Sequence, residues 1–239
     1  MQPSFMEREE SPAGSDDAGE SPRHGFQGDR GVTLPPPLMP CGLTIALSRE
    51  AGARGGAIGR RVGQKLGWQV FDQELLEYMA QDGVVRQGVL DSLKPAATVW
   101  AEERLQQLLR EQNISQNPAI LALARVILAL GAQGEAVLIG RGSGFILPRV
   151  STLHVRLVAP LEERIAYMSQ WQRLPVEKAA EMVRVRDERR VEFLKTHFHR
   201  CGGDVHQYDM LLNTGMLGED VCAELIVTAA QARLAQRAP

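Results

Sequence analysis

Leu43-Thr44-Ile45-Ala46-Leu47-Ser48-Arg49-Glu50-Ala51-Gly52-Ala53-Arg54-Gly55-Gly56-Ala57-Ile58 is the stretch that decides the fold. An apolar run of strand length comes first. A loop with three glycines follows, and then Ile58, Val62 and Leu66 recur every four residues, the stripe of a helix. Strand, glycine loop, helix is the order a phosphate loop needs. Glycines let backbone N–H groups converge on an anion, and the helix N-terminus adds partial positive charge. Ser48, Gly52, Ala53, Gly55 and Gly56 are therefore candidate phosphate-binding residues. The usual G-x-x-x-x-G-K-[S/T] string is missing. With Gly52 as the middle glycine, Gly55 stands in the lysine position and Ala57 near the magnesium-holding hydroxyl. An ordinary glycine-rich turn reads the same way at this level.

Working outward, strand and helix signals alternate. Gly59 and Gly63 lie beside the helical stripe and allow close approach to a sheet, and Gly67 is a natural stop. A brief strand at Val70-Phe71 leads into a helix over 72–81, and a second helix covers 97–112. Asn117-Pro118 opens a helix that is apolar on nearly every side except Arg125. Strands are expected over 135–139, 153–158 and 210–213. Helices follow from Pro160, with Leu161, Ile165 and Met168 inward, then from Pro175, and then over 219–232. The expectation is a mostly parallel sheet with helices on both faces, and with ligands bound beyond the carboxyl ends of its strands.

Three further clusters carry chemistry. Gly140-Arg141-Gly142-Ser143-Gly144 follows a core strand, where an arginine can grip a phosphate in bidentate fashion. Arg184, Arg186, Asp187, Arg189, Arg190 and Lys195 share one long helix, with Arg186, Arg189 and Arg190 on one face. A solvated face balanced by Glu188 and Glu192 is the plainer reading. His197, His199, Cys201 and His206 lie within ten residues, but their spacings match no standard zinc module, and a mobile lid tip accounts for them better.

Composition bounds the rest. The chain has 239 residues, 44% of them hydrophobic, and a net charge of −2. Residues 1–40 hold seven acids against three arginines and end in a proline-rich run, so they are expected to form a disordered acidic tail, with a partner as a secondary reading. The body, 41–239, is then slightly basic. That suits small anions but is too weak for DNA or RNA. Three cysteines without a C-x-x-C pair point to a reducing, cytoplasmic setting. No apolar run reaches membrane-span length, and the N-terminus has no signal-peptide pattern.

Taken in order, Gly140–Pro148, Leu153–Ala159, Glu163-Arg164, Arg186-Asp187, Tyr208-Asp209 and Asn213-Thr214 resemble the bacterial cytidylate kinases. Ser48-Arg49-Glu50 with its glycines, and Phe71-Asp72-Gln73-Glu74-Leu75, resemble the cytidylate-kinase-like family still more closely. The resemblance implies a P-loop NTPase-type α/β fold with a helical lid over about 172–206. It implies phosphoryl transfer from ATP, with Mg2+, to a nucleoside monophosphate, CMP or dCMP by default. It places Asp72, Arg141, Arg186 and Asp187 at the acceptor, with Asp72 also the one candidate metal contact. Arg49, Arg54, Arg189 and Arg190 are left to supply the charge the absent lysine would have given. The chain departs from the cytidylate kinases at Gly142 and Arg190, where they carry aspartates, and at Phe193, where they carry an arginine. Those groups hold ribose and base, so a different small-molecule acceptor, or a non-catalytic nucleotide sensor, stands beside the kinase reading.

Overall fold

The computed structural model describes residues 42–237. The tail read from composition over 1–40 lies outside the described residues. Chain order is β1 (Thr44–Arg49), α1 (Gly55–Leu66), β2 (Gln69–Phe71), α2 (Gln73–Gln81), α3 (Gly83–Asp91), α4 (Pro95–Arg110), α5 (Pro118–Gln133), β3 (Ala136–Ile139), α6 (Ser143–Ile146), β4 (Thr152–Val158), α7 (Leu161–Gln172), α8 (Val176–Phe198), β5 (Met210–Asn213) and α9 (Thr214–Ala235). The five strands form one sheet in the order β2-β3-β1-β4-β5, with every pairing parallel. β1, the strand of the opening stretch, is therefore central, and its loop sits in the middle of the sheet's carboxyl edge.

Alternate strand residues face two cores, as the pleat requires. Ile45, Leu47, Val137, Ile139 and Val155 pack under Ile58 and Val62 of α1 and Cys222, Ile226 and Ala230 of α9. Ala136 and Leu138 face the other way, onto α2, α4, α5 and α6. Gly59 is required here. A Cβ on it would lie 2.5 Å from Ile139 Cδ1, so α1 reaches the sheet only because that carbon is absent. Asn117 caps α5 by accepting from the N–H groups of Ala119 and Ile120, and Pro118 occupies its first turn. Leu123, Val126, Ile127, Leu128 and Leu130 of α5 are all buried. Each such side chain contributes ~1.5–3 kcal/mol by leaving water, which explains how a helix apolar on nearly all sides becomes a pillar of the core.

Several expectations need correction. Leu161, expected inward, is 54% exposed, whereas Met168 is buried. The helices α3 and α6 have too few apolar repeats to be visible in sequence. The closing helix begins at Thr214 and turns regular after a kink at Gly218 (φ 75°, ψ 173°). The start of the histidine stretch is tied to the body of the fold. Phe198 is 1% exposed in the α2–α5 core, and the Ser115 N–H donates to the His197 carbonyl at 2.9 Å.

Candidate active site

The carboxyl ends of β1, β3 and β4 open into a cavity of about 400 Å³. It is lined by six arginines, Arg49, Arg141, Arg156, Arg186, Arg189 and Arg190, against a single carboxylate, Glu74. Such a wall is built for anions. The arginines come from four places. Arg49 ends β1, Arg141 follows β3, Arg156 lies on β4, and the other three project from α8. Of the residues expected from sequence, the cavity brings together Ser48, Arg49, Arg141, Arg186, Arg189 and Arg190.

Arg49 holds the central place. Its stem runs across the face of Gly55, where a Cβ would stand 2.9 Å from Arg49 Cγ. Its guanidinium reaches the Gly140 backbone and donates from Nη2 to Gln73 Oε1 at 3.2 Å. The cation therefore passes over the residue that replaces the usual lysine. Burial foremost, and then the charge of Arg190, push its pKa down to about 9. At neutral pH it stays charged among like charges, a repulsion that a bound anion relieves.

Arg141 sits on a loop with three successive left-handed residues, Gly140 (φ 85°), Arg141 (φ 54°) and Gly142 (φ 69°). Positive φ at a non-glycine residue is uncommon and is kept where the surroundings enforce it. Here the guanidinium is held by an ion pair to Glu77 and lies 4.8 Å from the Phe193 ring centre. Its buried Nε has no hydrogen-bond partner among the described residues. Arg186 and Arg189 likewise carry no internal hydrogen bond or ion pair there, leaving their donors for a ligand.

Asp187, Asp72 and Arg54 do not line the cavity, nor do the loop residues Gly52, Ala53, Gly55 and Gly56. Asp187 is turned toward the phosphate loop. Its Oδ1 accepts from the Ala51 N–H at 2.7 Å and its Oδ2 from Arg164 Nη1 at 2.6 Å. Asp72 caps α2 by accepting from the Leu75 N–H at 3.0 Å. Arg54, the N-cap residue of α1 at φ 57°, lays its guanidinium over the Tyr167 ring at 5.1 Å. The phosphate loop itself is braced from β4 and α7. Arg164, 9% exposed, also donates to the Ala51 and Ala159 carbonyls, and Glu50 accepts from the Ala159 N–H. A Cβ at Gly52 (φ 81°) would meet Arg164 O at 2.5 Å, so that glycine is obligatory.

Sequence reasoning did not single out Arg156 or His154, and it named Arg164, Gln73 and Glu74 only within the motifs that carry the resemblance. The pair Glu163-Arg164 at a helix start was visible, but nothing in sequence marks a buried brace. His154 of β4 is 3% exposed, takes Ser48 Oγ at 3.1 Å on Nε2, and has the Gln207 carbonyl at 3.1 Å from Nδ1. A carbonyl only accepts, so Nδ1 carries the proton and Nε2 accepts from the Ser48 hydroxyl. Burial pushes its pKa down to about 4, keeping it neutral.

For a magnesium ion the donor set is poor. Among the described residues, no three His, Cys, Asp or Glu side chains are grouped so as to hold a metal ion. Asp72, the one candidate metal contact, caps α2 through Oδ1, and Gly55, Gly56 and Ala57 carry no hydroxyl.

The arginine-lined cavity beside a strand–loop–helix anion site coincides with a sequence relationship. The model of the cytidylate kinase-like family matches residues 44–216. The chain belongs to the cytidylate kinase-like family. The span takes in every cavity arginine and both halves of the arginine helix. Among solved structures, an uncharacterised protein from Eubacterium ventriosum superposes with a TM-score of 0.56 at 16% identity. The match covers 80% of this chain and 99% of that one. A shikimate kinase from Acinetobacter baumannii gives a TM-score of 0.45 at 14% identity, over 80% and 94% of the two chains. The likeness to the Eubacterium ventriosum protein concerns the fold alone. A 92-residue stretch is 30% identical to a Corynebacterium glutamicum protein named uronate isomerase. It takes in 38% of this chain and 18% of that protein's length.

Proposed function

We propose that this member of the cytidylate kinase-like family transfers a phosphoryl group from ATP to a nucleoside monophosphate, with CMP or dCMP as the reference acceptor. One observation carries the reading: an arginine-lined cavity of about 400 Å³ lies directly beside the central phosphate loop, so donor and acceptor phosphates would meet at the end of β1. The loop N–H groups and the α1 N-terminus hold the donor phosphates. Arg141, on the cavity wall, grips the acceptor phosphate, and its left-handed loop fixes where that phosphate stands. Arg49 lies between the two and stabilises charge as the phosphoryl group moves in line, a gain realised in the transition state. Arg186, Arg189 and Arg190 close the site from α8. Magnesium would arrive on the ATP phosphates and supply further charge neutralisation there, since the described residues hold no carboxylate cluster for it.

ATP turnover against a panel of nucleoside monophosphates and other small phosphate and hydroxyl acceptors tests the reading. Transfer to CMP or dCMP is the expected result. A second reading, a nucleotide sensor that binds without transferring, rests on Gly55 and Ala57, which provide neither lysine nor hydroxyl. ATP binding with no transfer to any acceptor would establish that reading in place of the first.

A further inference from the structure

We propose that the arginine cavity also transfers phosphoryl groups to a hydroxyl of a small anionic acceptor, with Ser48 and His154 carrying away the proton that the hydroxyl loses. The inference rests on the phosphoryl-transfer reading of the site and goes beyond its reference acceptor.

A phosphate acceptor meets the donor already ionised, so its oxygen attacks without a base. An alcohol must give up a proton during transfer, and a side chain placed to receive it speeds the step. Ser48 and His154 form such a receiver. Ser48 immediately precedes Arg49 at the end of β1 and lines the cavity. Its hydroxyl donates to His154 Nε2 at 3.1 Å, so its oxygen keeps lone pairs with which to accept a further proton. Behind the ring, Nδ1–H donates to the Gln207 carbonyl at 3.1 Å. From cavity to interior the order is hydroxyl, imidazole, carbonyl, with every hydrogen bond pointing inward. A hydroxyl, a base and a third group that orients the base is an arrangement for moving protons.

The fold makes room for this histidine. Its ring stands against Gly144, where a Cβ would come within 2.3 Å of Cε1 and of Nε2, so the loop after β3 gives up a side chain to admit it. Phe145 and Tyr208 meet the ring edge-on, with centres 5.2 and 4.6 Å away. Its pKa of about 4 suits the task, since an aspartate of ordinary value, about 3.9, receives the substrate hydroxyl's proton in protein kinases.

Charge names the class of alcohol. Six arginines against the one carboxylate of Glu74 call for an anion, a hydroxy acid or a sugar or polyol phosphate, with its charge on Arg141 and its hydroxyl toward Ser48. In the step, the alcohol oxygen bonds to the γ-phosphorus of ATP while the bond from that phosphorus to the bridging oxygen breaks and ADP leaves. The alcohol proton moves to Ser48 Oγ as the serine proton moves to His154 Nε2, and the imidazolium gives its proton to water when the product departs.

The test incubates the full-length protein with ATP and magnesium in two arms. One holds CMP or dCMP. The other holds glycerate, a hydroxy acid, or glycerol 3-phosphate. Phosphorus NMR separates a new phosphate ester from a new phosphoanhydride. An ester in the second arm is the expected result, and the probe that carries it tells a carboxylate anion from a phosphate. Ser48→Ala and His154→Gln should each lower kcat for ester formation by about 10²- to 10⁴-fold, with a far smaller change in KM for the alcohol. Ser48→Thr, which keeps a hydroxyl, should recover part of the loss. Anhydride formation should fall less, because the phosphate brings no proton to remove. Ser48→Ala deletes a single oxygen at the cavity wall, so the proposal stays open to refutation even if His154→Gln does not fold. Anhydride without ester overturns the proposal and leaves the kinase reading standing. Ester without anhydride upholds the proposal and removes CMP as acceptor, and neither product defeats both. Equal loss of ester and anhydride in the variants also overturns it. So does loss of ester in Glu74→Gln but not in Ser48→Ala, or phosphate found covalently on Ser48.

Discussion

Arg49 and Arg54 are five residues apart and looked equivalent in sequence, yet the fold sends them to different ends of the donor. Arg49 crosses Gly55 toward the acceptor cavity, while Arg54 turns back over Tyr167. Arg49→Ala should therefore reduce turnover by on the order of 10²-fold or more with a much smaller change in ATP affinity, the scale for losing one preorganised charge donor. Arg54→Ala should mainly raise the Kd for ATP. Initial-rate kinetics paired with ATP titration separate the two, and equal effects of both changes would refute the assignment. The neutral His154 gives a second prediction at this scale. Its pKa is about 4 in the folded protein against an ordinary 6.5, because burial outweighs the Gln207 carbonyl and Asp209, with Arg149 and Arg156 adding to the depression. The unfolded chain thus binds the extra proton between those values. Stability is full above about pH 6.5 and is lost as pH falls toward 4, by about 3 kcal/mol from this group. Urea midpoints measured across that window in wild type and His154→Gln should show the slope shrinking in the variant.

At the scale of elements, α8 has two attachments of different kinds. Its carboxyl end is fixed by Phe198 in the apolar core, while its middle is tied to the phosphate loop through the Asp187 carboxylate. Only the second attachment touches the ligand-binding loop. Hydrogen exchange with and without ATP should therefore change over 176–190 and stay constant over 194–198. Uniform protection along the whole helix would show that it does not respond as a lid. Asp187→Ala should cost about 3 kcal/mol, because it leaves Arg164 short of one carboxylate and the Ala51 N–H without a partner. Denaturant unfolding would measure it. The sequence showed this helix and its arginine face by spacing. It did not show the tether, because an aspartate among arginines looks like surface balance until the loop it reaches is in view.

For the molecule as a whole, the central strand, its glycine loop and the alternation of elements were legible because each leaves a local periodic trace. Pairing order was not legible, since nothing local says that β1 lies between β3 and β4. The site was legible to the extent that arginines on glycine loops and one helix face announce themselves. Arg156 and His154 lie inside a strand whose apolar run hides them, and Arg164 is a brace that only burial identifies. Composition alone predicts that removing residues 1–40 leaves the melting temperature and the ATP affinity of the body unchanged. A drop in either on truncation would show that the acidic segment acts on the body.

The crossing of Arg49 over Gly55 has a consequence for how such loops change over generations. A lysine at 55 would push its Cβ into the arginine's Cγ, so the two ways of placing a cation exclude one another. Gly55→Lys alone should be harmful, and Arg49→Gly alone should be harmful. Together, the pair should recover part of what each loses, a sign-changing coupling between positions. A lineage passing from one loop to the other must cross a valley or change both positions at once, which would leave this version of the loop isolated once it had arisen.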